Sequence, residues 1–465
     1  METDRSVPVA RLAPAAARDF VRDAGASFGL QCVRNARAAA RDAPLPPACA
    51  ASVGKAPNAA AAAALSSWPG FAPAPLVALP ALAAAMGVAS VQLKAEGGRF
   101  GIGSFKALGA PYAMARLLGG GDGGGGGGGS GGAGGDGKCE GQGECEGLGG
   151  LAAGRGAGRT FSTASDGNHG VAVAWAARRC GAAARVYLHT GVSAARVAAV
   201  ERLGAVAVRA GSTYEASVAA CREDSAAQGY EVVQDVSWAG YERVPADICA
   251  GYTVVASELL AQLVAAGEAP PTHVLVNCGV GGFAAAVCGL LWDALGAARP
   301  AFITAEPAAA DCVLRSGAAG TLTPCPGDLD TVQGGLACGE VSPLAFDVLR
   351  GGTDAFCSVS DACVAPAMRL LASASPAFVA GESAVCGLAV AAAAAADPAA
   401  KAALGLGPGS RVLCIACEGA TDEGAYERIT GRSLHELAAS PWCFRTTALG
   451  PAIGTGGGGR AHCKL

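Results

Sequence analysis

The sequence lacks the features that would point to a large or extended partner. It has no cluster of basic residues, and its formal net charge is -4 over 465 residues, which argues against nucleic acid or an anionic membrane surface. The longest apolar run, 387–396, is about half of the ~20 residues that a bilayer-spanning helix needs. The N-terminus lacks the short apolar core of a secretory signal. We therefore expect a small-molecule ligand, no nucleic acid and no membrane.

Cysteine is abundant, but its distribution is not that of a disulfide framework. Nineteen cysteines are scattered along the chain, mostly in apolar contexts where they behave as small hydrophobic residues. Thiols stay reduced in the cytosol, and we expect a cytoplasmic protein. The tripeptide Cys463-Lys464-Leu465 is similar to the peroxisomal Ser-Lys-Leu tail. A peroxisomal or other organellar location therefore stays an alternative, and a frayed C-terminus is the plainer interpretation.

Composition divides the chain into ordered and unordered stretches. Residues 1–60 are rich in Ala, Arg and Pro and predict a poorly structured N-terminal segment. Residues 119–158 are largely glycine, cannot bury apolar side chains, and predict a disordered surface insertion. Residues 447–465 predict a flexible tail. A chain of this length can form two domains. We predict a large domain over 61–106 and 256–446, and a small domain over 107–255.

Short apolar strands alternate with helices from Thr160 onwards. The predicted strands are 160–164, 185–189, 205–209, 231–234, 273–277, 302–305 and 411–416. The predicted helices among them are 171–180, 193–203 and one from about Thr213. This alternation is typical of parallel βαβ units. The predicted fold class is therefore α/β, with parallel sheets flanked by helices.

Three polar or glycine-rich loops follow predicted strands. They are Ser165-Asp166-Gly167-Asn168-His169-Gly170, Cys278-Gly279-Val280-Gly281-Gly282 and Cys417-Glu418-Gly419-Ala420-Thr421-Asp422. Ligands of such sheets bind beyond the carboxyl ends of the strands, so the three loops predict one cofactor site. The glycine turn suits a phosphate, or it is a packing turn. Asp166 and Asn168 are each alternatively helix caps, and we interpret His169 as packing.

A lysine lies among small and apolar residues in Arg99-Phe100-Gly101-Ile102-Gly103-Ser104-Phe105-Lys106. Partial desolvation would lower the pKa of Lys106 and make its amine nucleophilic. An isolated Ser-Phe-Lys would more commonly be an ordinary surface segment.

The order of these three elements resembles that of the fold-type-II pyridoxal-phosphate enzymes, which include the serine/threonine dehydratases and threonine synthase. Further motifs resemble the diaminopropionate ammonia-lyase branch. They are Ala174-Trp175-Ala176-Ala177, Gln234-Asp235, Gly240-Tyr241-Glu242, Gly335-Leu336-Ala337-Cys338-Gly339-Glu340, Gly381-Glu382-Ser383 and Glu418-Gly419-Ala420-Thr421-Asp422. The resemblance covers roughly residues 68–426 apart from the glycine insertion. It implies a two-domain fold with parallel or mixed sheets, pyridoxal 5′-phosphate between the domains, and a homodimer.

The resemblance also implies a role for each matching residue. Lys106 would hold the cofactor covalently, and Asp166 would be a second base on the opposite face of the cofactor, so that either enantiomer can lose its α-proton. Asp235 would help to bind the amine end of the substrate, in a subsite with Ser165 and Asp166. The implied cofactor contacts are Lys106, Asn168 at the 3′-oxygen, Gly279, Val280, Gly281 and Gly282 at the phosphate, and Cys417 at the pyridine nitrogen.

The implied reaction is the elimination of ammonia from 2,3-diaminopropionate, which yields pyruvate and two molecules of ammonia. Gly103 in the lysine motif is closer to the dehydratases, so a serine/threonine dehydratase is the first alternative. Ala416-Cys417 stands where the family has a Ser or Thr facing the pyridine nitrogen. Together with the glycine insertion, this departure suggests a second alternative, a non-catalytic cofactor-binding protein. Cys312 and Cys338 match positions that pair in some members, and we expect free thiols here.

Overall fold

The computed structural model describes residues 6–119, 151, 154–165 and 167–444. Asp166, most of the glycine-rich stretch and the C-terminal tripeptide lie outside these residues. The strands are β1 (Gln31–Arg34), β2 (Leu76–Ala78), β3 (Ser90–Ala95), β4 (Thr160–Ala164), β5 (Ala183–Leu188), β6 (Val206–Arg209), β7 (Glu231–Val232), β8 (His273–Asn277), β9 (Ala301–Pro307), β10 (Ala355–Val359) and β11 (Arg411–Ala416). The helices are α1 (Pro14–Ser27), α2 (Pro47–Val53), α3 (Lys55–Ser66), α4 (Pro80–Met86), α5 (Lys106–Leu118), α6 (Asn168–Cys180), α7 (Ala194–Arg202), α8 (Tyr214–Gln228), α9 (Arg243–Tyr252), α10 (Val254–Ala266), α11 (Gly282–Leu295), α12 (Cys312–Ala319), α13 (Pro343–Gly352), α14 (Val364–Ala372), α15 (Cys386–Ala396), α16 (Pro398–Leu404) and α17 (Glu423–Thr430).

The strands form two sheets flanked by helices, as the α/β prediction requires. The larger sheet has the order β1-β10-β9-β8-β11-β3-β2. Its five central strands are parallel, and the edge strands β1 and β2 pair antiparallel. The smaller sheet, β6-β5-β4-β7, is wholly parallel. All strands of the smaller sheet lie within the predicted small domain, while the domain boundaries themselves stay predictions.

The predicted strands agree closely with those of the structure. Those at 160–164, 273–277 and 411–416 are confirmed at both ends, and the other four differ by one or two residues at their ends. The helix predicted from Val171 begins earlier, at Asn168, because the Ser165 hydroxyl accepts the Gly170 amide at 3.0 Å. Its end at Gly181, with φ +75°, is as predicted.

The prediction of a poorly structured segment over 1–60 is wrong for residues 6–60. Helix α1 buries Phe20 and Val21 and packs against α15, and β1 extends the larger sheet. Alanine hides the amphipathic pattern in this segment, although it is the best helix former. The glycine insertion also ends sooner than predicted, since the amides of Gly154 and Gly156 donate to the Cys180 carbonyl at 3.1 and 2.8 Å.

One continuous stretch, Arg243–Ala266, is long and apolar enough by length and composition to cross a membrane, with a mean hydropathy of 1.6. It spans α9 and α10, and 61% of it is buried inside the protein, as in the core helix of a globular domain. Asp247 and Glu258 interrupt the apolar run, so it does not stand out in the sequence. A second apolar pair, α15 with α16, is bent by 114°.

Candidate active site

A cavity is lined by the loops that follow β4, β7, β8 and β11 and by the start of α5. The strands of both sheets therefore direct their carboxyl ends to one place, as the parallel arrangement predicts. The sequence-predicted site residues that line it are Lys106, Ser165, Asn168, Asp235, Gly279, Val280, Gly281, Gly282 and Cys417. Asp166, the remaining predicted site residue, lies outside the described residues. The structure thus brings together every predicted site residue that it describes.

Lys106 is the first residue of α5, and its amine meets a carboxylate. Its Nζ donates to Asp235 Oδ2 at 2.5 Å and lies 5.1 Å from the centre of the Phe105 ring. Burial disfavours the charged amine, but the Asp235 carboxylate outweighs burial, and the pKa of Lys106 is raised. The prediction of a lowered pKa is therefore wrong for this arrangement. The local sequence cannot reveal a carboxylate that lies 129 residues away.

The glycine turn before α11 is shaped as a cradle. Gly281, its N-cap, has φ +93°, a conformation that favours glycine. A Cβ at Gly281 would also come within 3.1 Å of Ala345 Cβ, and one at Gly279 within 3.0 Å of Cys338 Sγ. The first amides of a helix have no acceptor within the helix, and the helix dipole is positive at this end. The turn therefore fits a phosphate group.

The loop between β4 and α6 is held by side chains. The Ser165 hydroxyl accepts the amide of Gly167 at 3.2 Å as well as that of Gly170. The Asn168 amide donates to Glu418 Oε2. The other carboxylate oxygen of Glu418 accepts the Ser383 amide at 3.0 Å. Asn168 is thereby tied across the cavity to the loop that follows β11.

Cys417 directly follows β11, and its thiol is buried and makes two hydrogen bonds. The thiol donates to the Ser383 carbonyl and accepts from the Asn277 amide, both at 3.4 Å. Burial raises the pKa of the Cys417 thiol, so it is neutral. Cys414 has the spacing to Cys417 that is typical of metal-binding or redox pairs. However, side chains three apart along a strand point to opposite faces, and the described residues contain no metal-binding cluster of three or more His, Cys, Asp or Glu.

Cys312 and Cys338 are both free thiols in the structure. The Cys312 thiol donates to the Gly279 carbonyl at 3.7 Å. Burial raises the pKa of Cys312, which keeps the thiol protonated. The expectation of free thiols therefore agrees with the structure.

These groups fit pyridoxal phosphate. Lys106 provides an amine inside the cavity for covalent attachment, and the glycine turn 279–282, which lines the cavity at the N-terminus of α11, provides the phosphate subsite. The Asn168 amide provides a hydrogen-bond donor in the same cavity. Lys106, the glycine turn and Asn168 come from three separate elements that converge on one cavity, which indicates a built binding site.

Comparison with known proteins places the chain in a family. Residues 68–418 match the family described as pyridoxal-phosphate dependent enzyme. The diaminopropionate ammonia-lyase of Escherichia coli (strain K12) is 36% identical over 375 residues, which are 79% of this chain and 90% of that enzyme. The chain belongs to the diaminopropionate ammonia-lyase family. It is accordingly a pyridoxal-phosphate-dependent enzyme, as expected.

Solved structures support the same family and fold. A crystal structure of the diaminopropionate ammonia lyase from Escherichia coli, in complex with an aminoacrylate-PLP azomethine reaction intermediate, has a TM-score of 0.74 at 32% identity and covers 87% of this chain and 97% of that one. The processed form of threonine deaminase isoform 2 from Solanum lycopersicum has a TM-score of 0.61 at 19% identity and covers 88% and 98%. That second likeness shows the shared fold alone. The fold-type-II prediction is confirmed.

The sequence does not single out three ionisable residues in or beside this cavity. His169, which we interpreted as packing, has its Nδ1 3.6 Å from Asp235 Oδ2. The sequence marks Glu418 only as part of a motif, although its carboxylate accepts the Asn168 side-chain amide. Burial, together with Glu418, raises the pKa of Glu382 to about 7. All three lie in motifs that carry the family resemblance, and membership of those motifs is the sequence feature that could identify them as site residues.

Proposed function

We propose that the protein converts 2,3-diaminopropionate and water to pyruvate and two molecules of ammonia by α,β-elimination. The observation that carries the proposal is the Lys106–Asp235 pair inside the cavity, in a chain 36% identical to a diaminopropionate ammonia-lyase. The pair sets a carboxylate beside the amine that would hold the cofactor.

The cofactor contacts follow from the cavity. Pyridoxal phosphate, when bound, supplies a ring that accepts the electron pair left at Cα of the substrate when the α-proton is removed. Lys106 Nζ would hold it covalently, the amides of residues 279–282 would bind its phosphate, and Asn168 its 3′-oxygen. Cys417, as a neutral thiol, would be the weak hydrogen-bond partner of the ring nitrogen.

Asp235 selects for an amine leaving group. The pKa of Asp235 is lowered, because Lys106 and His169 outweigh the opposing effect of burial, so the carboxylate is charged at neutral pH. The second ammonium group of 2,3-diaminopropionate is a partner for this carboxylate that serine and threonine lack. The low dielectric of a buried site strengthens such an attraction. Once substrate releases Lys106 Nζ, that amine is a base for the α-proton.

The segment that carries Asp235 is rigid, which suits a recognition role. The Tyr241 hydroxyl accepts the Gln234 amide at 2.8 Å and donates to the Val232 carbonyl at 2.9 Å. The Tyr241 ring stacks on Trp238, with ring centres 4.1 Å apart. This arrangement fixes the backbone on both sides of the carboxylate.

Two site roles rest on sequence alone. Asp166 is proposed as the base on the opposite face, and Ser165 as part of the substrate subsite with Asp166 and Asp235. An Asp166→Asn variant is expected to lose activity towards one enantiomer more than towards the other, which separate assays of D- and L-diaminopropionate measure. Equal loss on both enantiomers would contradict the two-base proposal.

A serine/threonine dehydratase is the second candidate, favoured by the Gly103-Ser104-Phe105-Lys106 motif. The leaving group of that reaction is a hydroxyl, which has less need of the Asp235 carboxylate. Parallel turnover of serine, threonine and diaminopropionate separates the two candidates, since the carboxylate should favour the diamine.

The deciding experiment is a visible absorbance spectrum of the purified protein before and after addition of D,L-2,3-diaminopropionate, with pyruvate assayed in the same tube. We expect a cofactor band that changes on addition while pyruvate accumulates, and neither in Lys106→Ala. A band with pyruvate from serine alone would favour the dehydratase. No band after addition of pyridoxal phosphate would contradict the role of Lys106.

The proposal includes a homodimer, the two predicted domains and a cytoplasmic location. The cysteines that the structure describes are all free thiols, which supports a reducing compartment. Light scattering of the purified protein measures the oligomeric state, and a monomeric mass would contradict the homodimer.

A further inference from the structure

His169 carries a buried nitrogen that has no hydrogen-bond partner among the described residues. The residue is 4% exposed, and its Nε2 lies 2.8 Å from the Val233 carbonyl. A carbonyl only accepts hydrogen bonds, so Nε2 carries a hydrogen. The unsatisfied atom is Nδ1, which lies 3.6 Å from Asp235 Oδ2.

The same carboxylate oxygen faces two basic nitrogens. Asp235 Oδ2 accepts from Lys106 Nζ at 2.5 Å, and it is also the atom that His169 Nδ1 approaches. A neutral imidazole presents a lone pair to this oxygen, and the contact becomes attractive only when Nδ1 gains a proton. One proton therefore has two alternative sites, at Lys106 Nζ or at His169 Nδ1.

Burial keeps neutral several titratable groups around this trio, including the Cys417 thiol, which interacts electrostatically with Lys106. Burial raises the pKa of Tyr252, Cys249 and Tyr241, all of which interact electrostatically with Asp235. Cys338 also lies near Lys106, and Asp166 is outside the described residues. The proton that links Lys106, Asp235 and His169 is therefore shared within this trio, while Arg196 and Glu418 are the other charged residues that line the described part of the cavity.

We propose that His169 is the positioning residue that makes Lys106 a nucleophile, by accepting the Lys106 proton through Asp235. The Nζ–H bond of Lys106 breaks, Asp235 passes the proton on, and an Nδ1–H bond forms at His169. The ion pair Lys106–Asp235 becomes the ion pair His169–Asp235, and the net charge of the trio is unchanged. The amine left behind is neutral and can form the covalent bond to the cofactor. This inference rests on the attachment role of Lys106 in the proposed function.

The mechanism resolves a conflict within the site. An amine whose pKa is raised by a carboxylate is protonated at neutral pH and is a poor nucleophile. Burial lowers the pKa of His169, and the positive charge of Lys106 lowers it further, although the Asp235 carboxylate acts in the opposite direction. Loss of the Lys106 charge removes a repulsion from His169 and leaves Asp235 without its partner, so both changes favour the imidazolium.

His273 is a matched control within the same chain. It is 6% exposed, its Nε2 lies 2.9 Å from the Leu404 carbonyl, and burial lowers its pKa as it does for His169. Its Nδ1, however, is hydrogen-bonded to the Thr272 hydroxyl at 2.8 Å. No described carboxylate lies within ion-pair distance of it, although Asp354 and Arg41 act on it electrostatically, with opposite signs. A property that depends on burial alone will be common to both histidines.

The first test is a histidine titration by NMR on the full-length, ¹⁵N-histidine-labelled protein. The chain has five histidines, and His169→Gln and His273→Gln assign the two signals. In Lys106→Ala we expect the pKa of His169 to rise by about one unit or more, and in Asp235→Asn to fall, with His273 unchanged. A His169 signal that titrates identically in wild type and Lys106→Ala would overturn the proposal.

The second test follows the growth of the visible cofactor band after pyridoxal phosphate is added, as a function of pH. The amide of His169→Gln can still donate to the Val233 carbonyl but cannot accept a proton. We expect attachment about tenfold slower at pH 7, with its pH dependence moved about one unit upward, and wild-type behaviour in His273→Gln. Wild-type attachment rates in His169→Gln at every pH would overturn the proposal.

Neither test uses diaminopropionate. A protein that attaches the cofactor as described but releases no pyruvate would refute the proposed function and leave the His169 inference standing. The titration of Lys106→Ala also remains decisive if His169→Gln fails to fold, since the signal can then be assigned with His169→Asn.

Discussion

Lys94 and Lys106 are both lysines beside a carboxylate, yet their surroundings differ. Lys94 is 0% exposed, and its Nζ has three acceptors: the Ala74 carbonyl at 2.5 Å, Glu258 at 3.0 Å and Gln262 at 2.9 Å. Lys106 donates to the Asp235 carboxylate, and the neighbouring His169 Nδ1 lacks a partner in the described structure. The hydrogen bonds of Lys94 are satisfied, whereas the cluster around Lys106 retains an unpaired hydrogen-bonding atom among the described residues.

The difference separates support from chemistry. Arg99 completes the first cluster by binding both Glu96 and Glu258, and Glu96 and Arg99 lie in the short helical segment that precedes Lys106. A fully satisfied polar network makes a fold rigid, whereas a partly satisfied one retains groups that can exchange partners. The Glu258 network therefore fixes the position of the segment before Lys106. Lys106, Asp235 and His169 can exchange a proton within that fixed frame.

The largest effect that this comparison predicts is the loss of activity in Lys106→Ala. Because the amine that would hold the cofactor and move the α-proton is removed, we expect pyruvate release to fall by at least about 10³-fold, with the fold retained. Steady-state assays and circular dichroism measure both properties. Substantial activity in a folded Lys106→Ala protein would remove the distinction between the two lysines.

The complementary change is Glu258→Gln in the complete cluster. It leaves the Lys94 and Arg99 charges without one of their anions, and we expect the free energy of unfolding to fall by about 3 kcal/mol. Asp19→Asn is the control, since it breaks the exposed Arg22–Asp19 pair (69% and 59% exposed side chains) and should change stability by less than about 1 kcal/mol. Denaturant unfolding measures both variants. Equal stabilities, or a loss of turnover in folded Glu258→Gln as severe as in Lys106→Ala, would contradict a supporting role.

The sequence predicted the arrangement of the site better than its electrostatics. Strand periodicity placed the loops that bring Lys106, Asp235 and the glycine cradle together. Alanine-rich residues 6–60 gave no such signal, although they add β1 to the sheet. The raised pKa of Lys106 and the unsatisfied Nδ1 of His169 depend on side-chain orientation between segments far apart in the chain. Such orientations follow from tertiary packing, which periodicity and motif spacing do not encode.

A smaller effect is expected from Glu382, an acidic group beside the cavity whose pKa is raised to about 7 by burial and by Glu418. Between pH 4.5, its ordinary pKa, and pH 7 the folded protein holds a proton there that the unfolded chain has lost. Stability therefore falls as the pH rises through this window. Glu382→Gln removes this pH dependence. We expect the difference in free energy of unfolding between Glu382→Gln and wild type to shift in favour of the variant by on the order of 2 kcal/mol between pH 5 and pH 7.5. Denaturant unfolding at the two pH values measures it, and parallel pH dependence would show that Glu382 is no more perturbed than a surface carboxylate.

The smallest predicted effect concerns Cys417, which directly follows β11 and is the proposed partner of the pyridine nitrogen. A hydroxyl in Cys417→Ser would hydrogen-bond the Ser383 carbonyl more strongly than the thiol does at 3.4 Å. We expect the visible band of the bound cofactor to shift while turnover stays within about fivefold of wild type. Cys414→Ser is the matched control, because Cys414 is 2% exposed and lies on the opposite face of β11. It should lower stability by burying a hydroxyl and leave the band in place. An unshifted band in Cys417→Ser would mean that the pyridine nitrogen has another partner, and that Cys417, like Cys414, belongs to the packing of the sheet.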